Sequence, residues 1–180
     1  LEKRIHDELV DKLDRTEVSL AEIFDTLDRA EARVKTHFQS MYIEQLQSFR
    51  RKVTLFGMHF ASIDIRQDSR VIARSLNAAC AAQPGILPAD FDQLTESQQL
   101  DCLFACSGEV SSEVFDDPVI RDTLESMRVI QQIQAVNGER GAHRYIISNC
   151  RGPVDIARVF ALFRLGGWAD SPITVDVVPL

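Results

Sequence analysis

Two groups of polar residues follow strand-like runs in this sequence, and both contain side chains able to bind an anionic substrate. The first group follows an apolar run that begins at Phe56, and the second follows a β-rich run that begins at His143. If both runs are parallel strands of one sheet, their carboxyl ends share an edge, where β/α enzymes place functional side chains. The two groups are Asp64, Arg66, Gln67 and Asp68, then Ser148, Asn149 and Arg151.

Arg66 is the member of these groups best suited to hold a phosphate or a carboxylate. Its planar guanidinium can donate two parallel hydrogen bonds to either anion. Alternation along a strand places Arg66 on the same face as Ser62 and Asp64, from which it could point into the mouth of a barrel. The sequence leaves an alternative open, because Arg66 could instead form a structural ion pair with Asp64 or Asp68.

Other chemical signals are weak. The four histidines are scattered without metal-ligand spacing, and the four cysteines contain no Cys-x-x-Cys pair. Glycine-rich nucleotide-binding motifs and a Gly-x-Ser-x-Gly motif are absent from the sequence. We therefore predict no metal ligands in this chain and interpret Cys102 and Cys106, one helical turn apart, as two buried thiols.

Three short strand-like runs separated by helical patterns organise the chain. We predict strands at 57–65, 143–149 and 173–178, with Asp176 a further carboxylate that could face inward. Strands joined by helical crossovers indicate parallel β/α units. The fold class is therefore α/β and predominantly helical, a partial (β/α)8 TIM-type barrel of about three parallel strands with long helical crossovers. The intervening helices are expected at 70–82, 95–106 and 118–136, and from Gly152-Pro153 to Gly166-Gly167.

The first 52 residues are predicted to be helical. Apolar residues at helical spacing indicate a short amphipathic helix over 1–15, and Ser19-Leu-Ala-Glu22 is a capping-box pattern. One long helix is expected to follow, because its apolar stripe continues to Val53. We divide the chain into residues 1–52, long helices that pack on the barrel, and residues 53–180, a barrel segment carrying one wall of the site.

Composition excludes some functions and bounds others. The 180 residues are enough for one sizeable core, and 45% hydrophobic with 26% charged residues is typical of a soluble globular protein. A net charge of −7 argues against nucleic-acid binding, which depends on cationic side chains. There is no apolar run of membrane-spanning length and no signal-peptide pattern, so we expect no membrane partner and a cytoplasmic location.

Three segments, in the right order, resemble the phosphoenolpyruvate carboxylase family. Phe56–Ser69 matches the pattern Phe-Gly-x-His-x-Ala-x-x-Asp-Ile-Arg-Gln-x-Ser, of which Asp64-Ile-Arg-Gln67 is the most specific part. Arg144–Ser148, followed by Asp155 and an apolar helix, is similar to a second family segment. Val175–Leu180 is similar to the strand that runs into the family's Phe-Glu-Thr metal-binding motif. The sequence departs from the family at Gly152-Pro153-Val154, where a serine usually precedes the aspartate, and 107–116 matches no family segment.

This resemblance implies an activity and a set of roles. The family's enzymes add bicarbonate to phosphoenolpyruvate with Mg²⁺ or Mn²⁺, giving oxaloacetate and phosphate, and are cytoplasmic tetramers built around an eight-stranded barrel. The arginine that matches Arg66 helps to bind the substrate phosphate, and Gln67 and Ser148 are our further candidates for substrate binding. The metal-binding glutamate would be the second residue after Leu180, and the catalytic histidine of a Thr-Ala-His-Pro motif would lie upstream.

We accordingly interpret the chain as an internal fragment of a longer enzyme, because it begins without methionine and ends on a strand-like run. The fragment alone is expected to be inactive, to bind no metal and to form homo-oligomers. A different class of protein remains open, a non-enzymatic helical interaction module that docks through residues 1–52.

Overall fold

The computed structural model describes Ile5, residues 18–169 and residues 171–180 of the chain. The predicted helix at 1–15 therefore lies almost entirely outside the described residues. The chain divides into two compact units, Leu1–Phe60 and Ala61–Leu180. Whether the first helices pack on a barrel stays a prediction. In the described residues, no helix is both long and apolar enough to cross a membrane.

Over residues 18–60 the structure has two helices where the sequence analysis predicted one long helix. Helix α1 spans Leu20–His37 and helix α2 spans Ile43–Phe56. Ser19 caps α1 by accepting the Glu22 amide at 3.2 Å, which confirms the predicted start. The prediction of one continuous helix to Val53 was wrong, because left-handed residues between the helices reverse the chain. These residues are Gln39, Ser40 and Tyr42, with φ of 49°, 60° and 62°.

Contacts between α1 and α2 explain why the chain folds back. Gln47 donates from Nε2 to Glu31 Oε1 at 3.3 Å, and Arg50 forms an ion pair with Asp28. The Arg50 guanidinium also lies 5.3 Å from the centre of the Phe24 ring, in cation–π geometry. A single straight helix would leave the apolar stripe of α1 without these partners.

The second unit contains a three-stranded parallel sheet in the order β1-β2-β3. The strands are β1 at Asp64–Asp68, β2 at Arg144–Ser148 and β3 at Asp176–Pro179. This confirms the α/β class, the predominance of helix and the three parallel strands.

The predicted start of the first strand, at residue 57, was wrong. Gly57 and Phe60 have φ of 50° and 57°, and the Phe60 amide donates to the Phe56 carbonyl, so this segment turns rather than extends. The third strand also begins later than predicted, at Asp176 rather than Ile173.

Helices follow each of the first two strands, and local capping chemistry sets their ends. Asp68 caps the helix after β1, Thr95 and Gln98 form a complete capping box, and Asp117 precedes a proline at the first helical position. The helices are α3 at Ser69–Ala82, α4 at Glu96–Phe104, α5 at Pro118–Asn137 and α6 at Pro153–Phe163, with a π-helical turn at Arg164–Trp168. Short 3-10 turns occur at Phe91–Gln93, Ser112–Val114 and Glu139–Gly141. The four predicted helices of this unit are confirmed.

The core lies between these helices and one face of the sheet. Tyr145 and Ile147 of β2 are fully buried, and the Tyr145 ring packs edge-on against Phe163 at 5.5 Å between centroids. Phe163 in turn packs edge-on against Trp168, whose Nε1 donates to the Met127 carbonyl at 2.8 Å. Helix α6 is buried on several sides, as its apolar sequence predicted.

Gly166 allows the close approach of the π-helical turn to α5. A β-carbon at this position would lie 2.9 Å from Met127 Cβ, inside van der Waals contact. We expect Gly166→Ala to lower the free energy of unfolding by about 1–3 kcal/mol through overpacking, measured by urea denaturation. Gly152→Ala is the matched control, since a β-carbon there meets nothing within 4 Å. If the two variants were equally stable, the π-helical turn would not lie this close to α5 in solution.

Candidate functional site at the carboxyl edge of the sheet

Alternation along the strands separates a polar face from an apolar one. Ile65, Tyr145 and Ile147 point toward the helices, and the buried rings and aliphatic groups of the core cover them. The opposite face carries residues that pair across the strands in register: Asp64 with Arg144 and Asp176, Arg66 with Ile146 and Val178, and Asp68 with Ser148. The polar face is therefore a continuous surface that ends in Asp68 and Ser148 at the carboxyl edge.

Arg66 lies on the polar face, as predicted, and its side chain is exposed. It forms no hydrogen bond or ion pair with the residues that the structure describes. Asp64 instead lies 3.0 Å from Arg144 Nε, and Asp68 is held by Arg70. Neither of the structural ion pairs considered for Arg66 is formed, so the described residues occupy none of its guanidinium donors.

The Asp68 carboxylate is the most heavily used acceptor at this edge. It caps α3 by accepting the Arg70 amide at 2.8 Å and accepts from Arg70 Nε and Nη2 at 2.9 and 2.7 Å. Asn149 adds a bond from Nδ2 at 2.7 Å. The Arg70 side-chain bonds, with its backbone amide and Asn149, hold the pKa of Asp68 far below its usual value. Asp68 is therefore an ionised residue of the site at neutral pH.

Ser148 and Gln67, the other predicted site residues, lie on opposite faces. Ser148 shares the polar face with Arg66 and is exposed. Its Oγ lies 3.5 Å from the Gln67 carbonyl oxygen, which is the upper limit for a hydrogen bond. Gln67 turns its side chain toward the helices, donating from Nε2 to Thr123 Oγ1 at 3.1 Å and accepting the Asp68 amide at 2.9 Å. The structure brings Arg66 and Ser148 together and separates Gln67 from them. Their roles in substrate binding stay predictions.

A second charged cluster follows β2. Asp155 is 3% exposed, and its carboxylate accepts from the Arg151 backbone amide and Nε, both at 3.1 Å, and from Arg158 Nη1 at 2.9 Å. Burial raises the pKa of Asp155, but the hydrogen bonds and positive charges of the two arginines outweigh it, so the pKa lies below its ordinary 3.8. The carboxylate thereby fixes the chain where β2 passes into α6.

Sequence reasoning found most of this edge but missed Arg70 and Arg158. Arg70 lies two residues after a helix-capping aspartate, and Arg158 lies three residues after Asp155 on α6. The i,i+3 spacing on a helix lets Arg158 reach Asp155 and could have identified it. The spacing of Arg70 from Asp68 is not such a signal.

A different depression lies at the amino-terminal edge of the sheet. It has a volume of about 400 Å³ and is lined partly by Arg140, His143 and Asp176. Its lining residues lie at the opposite end of the strands from Ser148, so it does not belong to the site described above. Across the described ranges 18–169 and 171–180, no three His, Cys, Asp or Glu side chains are grouped so that they could hold a metal ion.

The fold is a three-stranded parallel β/α segment with an exposed arginine on its polar face, and sequence comparison specifies the family. The family model for phosphoenolpyruvate carboxylase matches residues 5–180. The chain belongs to this family.

Individual relatives agree. The chain is 28% identical to a phosphoenolpyruvate carboxylase of Synechococcus sp. over 144 residues, covering 76% of this chain and 14% of the relative. It is 30% identical to the enzyme of Xanthomonas oryzae pv. oryzae over 134 residues, covering 72% and 14%. The chain thus spans about 14% of the length of the curated relatives it matches.

Asp155 provides a test of the second charged cluster. We expect Asp155→Asn to lower the free energy of unfolding by about 1–3 kcal/mol, because charged hydrogen bonds to a buried carboxylate are lost. Because the pKa is depressed in the folded state, this contribution is present above the unfolded pKa near 3.8 and is lost as pH falls through the lower folded pKa. The difference between variant and wild type should therefore shrink in acid, measured by denaturation at several pH values. Asp101→Asn, on the exposed side of α4, is the control, and a pH-independent difference would contradict the assignment.

Proposed function

We propose that this chain is part of a phosphoenolpyruvate carboxylase, which joins bicarbonate to phosphoenolpyruvate and gives oxaloacetate and phosphate. Membership of the family supports the activity. Arg66 is the observation that supports a part for this segment in the activity. It is an exposed guanidinium without a partner among the described residues, on the polar face of a parallel sheet. The same family membership speaks against the alternative of a non-enzymatic helical interaction module.

The three strands are proposed to be a sector of a (β/α)8 barrel. Each strand pairs in parallel with the next one in sequence, which is the order found in such a barrel. The core helices cover the face that carries Tyr145 and Ile147, so the polar face would point into the barrel interior. The carboxyl edge, with Asp68 and Ser148, would then lie at the barrel mouth, where β/α enzymes bind their substrates.

Arg66 is proposed to bind the phosphate of the substrate. A guanidinium presents paired donors that match two phosphate oxygens, and this one is not neutralised by Asp64 or Asp68. Ser148 lies on the same face and could donate its hydroxyl to the same ligand. Gln67, on the opposite face, would contribute by holding the end of β1 through Thr123 and the Asp68 amide.

The divalent metal that the family implies, Mg²⁺ or Mn²⁺, does not fit a site made from the described residues, because their carboxylates and histidines are not grouped to hold one. We therefore assign no step of the reaction to a metal bound by this segment. The assembly of the whole enzyme is proposed to be a homotetramer in the cytoplasm. The segment provides one wall of the active site and is not expected to turn over substrate by itself.

Arg66→Lys in the whole enzyme tests the proposal. Lysine keeps the charge but loses the paired donors, so kcat/KM for phosphoenolpyruvate should fall by at least about tenfold. The melting temperature should change little, because Arg66 is exposed and no core volume is removed. Coupled assay of oxaloacetate formation measures the first quantity, and differential scanning calorimetry the second.

Arg33→Lys is the matched control, an exposed arginine of α1 that should tolerate the change. The assignment fails if Arg66→Lys melts many degrees early while the folded fraction has normal kcat/KM. In that case Arg66 stabilises the fold and does not bind substrate.

A further inference from the structure

The segments that follow β1 and β2 are joined by side-chain bonds in addition to the strand ladder. Asn149 donates from Nδ2 to Asp68 Oδ2 at 2.7 Å, and its carbonyl accepts from Ser69 Oγ at 2.7 Å. Ser69 is 1% exposed, so the second bond is shielded from water. A single residue after β2 thereby contacts two consecutive residues at the end of β1.

The neighbouring residue extends the connection to β3. The Cys150 amide donates to the Leu180 carbonyl at 3.0 Å, and the Leu180 amide donates to the Ile147 carbonyl at 2.8 Å. The dipeptide Asn149-Cys150 therefore links the carboxyl ends of all three strands.

The backbone of Asn149 is adapted to this connection. Its φ of 56° lies in the left-handed region, where asparagine is among the few side chains tolerated. This conformation ends β2 and is compatible with both bonds to β1. Because the amide donates to an ionised carboxylate, that bond is stronger than a neutral one.

We propose that Asn149 is a positioning residue for substrate binding, fixing the end of β1 against β2 so that Arg66 and Ser148 keep a constant spacing. Asp68 receives the bond from Asn149, lies two residues beyond Arg66 on the same face, and pairs in register with Ser148. A shift at Asp68 is therefore transmitted along β1 to Arg66. This inference rests on the proposed function, and deepens it by naming what orients the anion-binding side chain.

Three variants of the whole enzyme separate this role from backbone effects. Asn149→Gly keeps the left-handed conformation accessible and removes the amide, so KM for phosphoenolpyruvate should rise about three- to tenfold. Asn149→Asp places a second carboxylate against Asp68, and KM should rise at least about tenfold. In both, kcat should change less than about threefold, since weakened ground-state binding acts mainly on KM.

The third variant exchanges the partners. Asp68→Asn with Asn149→Asp restores a donor opposite an acceptor, and asparagine still caps α3. KM should return to within about threefold of the wild-type value. Asn77→Asp, which adds the same charge at an exposed position of α3, is the control and should leave KM unchanged.

The outcomes distinguish this inference from the role of Arg66. If Arg66→Lys is impaired while Asn149→Gly and Asn149→Asp keep wild-type KM, the positioning role is wrong and the proposed function stands. If KM rises in both Asn149 variants but the exchange restores nothing although circular dichroism shows it folded, the bond to Asp68 is not the cause and the inference fails. If Arg66→Lys is normal but Asn149→Asp raises KM and the exchange reverses it, the assignment of Arg66 fails, and the inference that Asn149 orients Arg66 fails with it.

Discussion

The ionised carboxylate of Asp68 is the interaction on which the carboxyl edge of the sheet depends. It ends β1, caps α3, holds Arg70 through two bonds and accepts the amide of Asn149. A carboxylate that accepts several hydrogen bonds stays charged far below neutral pH, so protonation does not interrupt these interactions at neutral pH. Because Asp68 is already satisfied by Arg70 and Asn149, it does not neutralise Arg66 two residues away.

Other carboxylates of the second unit are also paired with cationic side chains. Arg144 pairs with Asp64 at the amino-terminal edge, and Asp155 is paired with Arg151 and Arg158 at the start of α6. Asp64, Asp68 and Asp155 each have a cationic partner other than Arg66. The helices cover the opposite face with an apolar core, so the polar face is left for Arg66 and Ser148. Among the described residues Arg66 has no ion-pair partner, in contrast to Arg70, Arg144 and Arg151.

Local sequence chemistry predicted the parts of this fold that are decided within a few residues. Ser19 begins a helix where its capping-box pattern indicated, and the helices capped by Thr95 and Asp117 begin where they were predicted. One boundary was not predictable in this way. The stretch between α1 and α2 contains no glycine or proline, so the reversal at Ser40 follows from packing between the helices and not from a local turn signal.

In the site, too, features decided within one strand were predictable from the sequence, and contacts between residues far apart in the chain were not. Alternation along β1 correctly placed Arg66 on the face of Asp64. Whether Arg66 was paired could not be decided from spacing, because the competitor for Asp64 is Arg144, which lies 80 residues away and meets it only when the sheet forms. The role of Asn149 was hidden for the same reason, since its partner Asp68 is 81 residues distant.

The most direct test of the account is a crystal structure of the whole enzyme with a non-reactive analogue of phosphoenolpyruvate. We expect the Arg66 guanidinium to donate to phosphate oxygens of the analogue at about 2.7–3.0 Å, with Asp68 still bound to Arg70 and Asn149. An analogue bound away from the polar face, with Arg66 paired to a protein carboxylate, would contradict it.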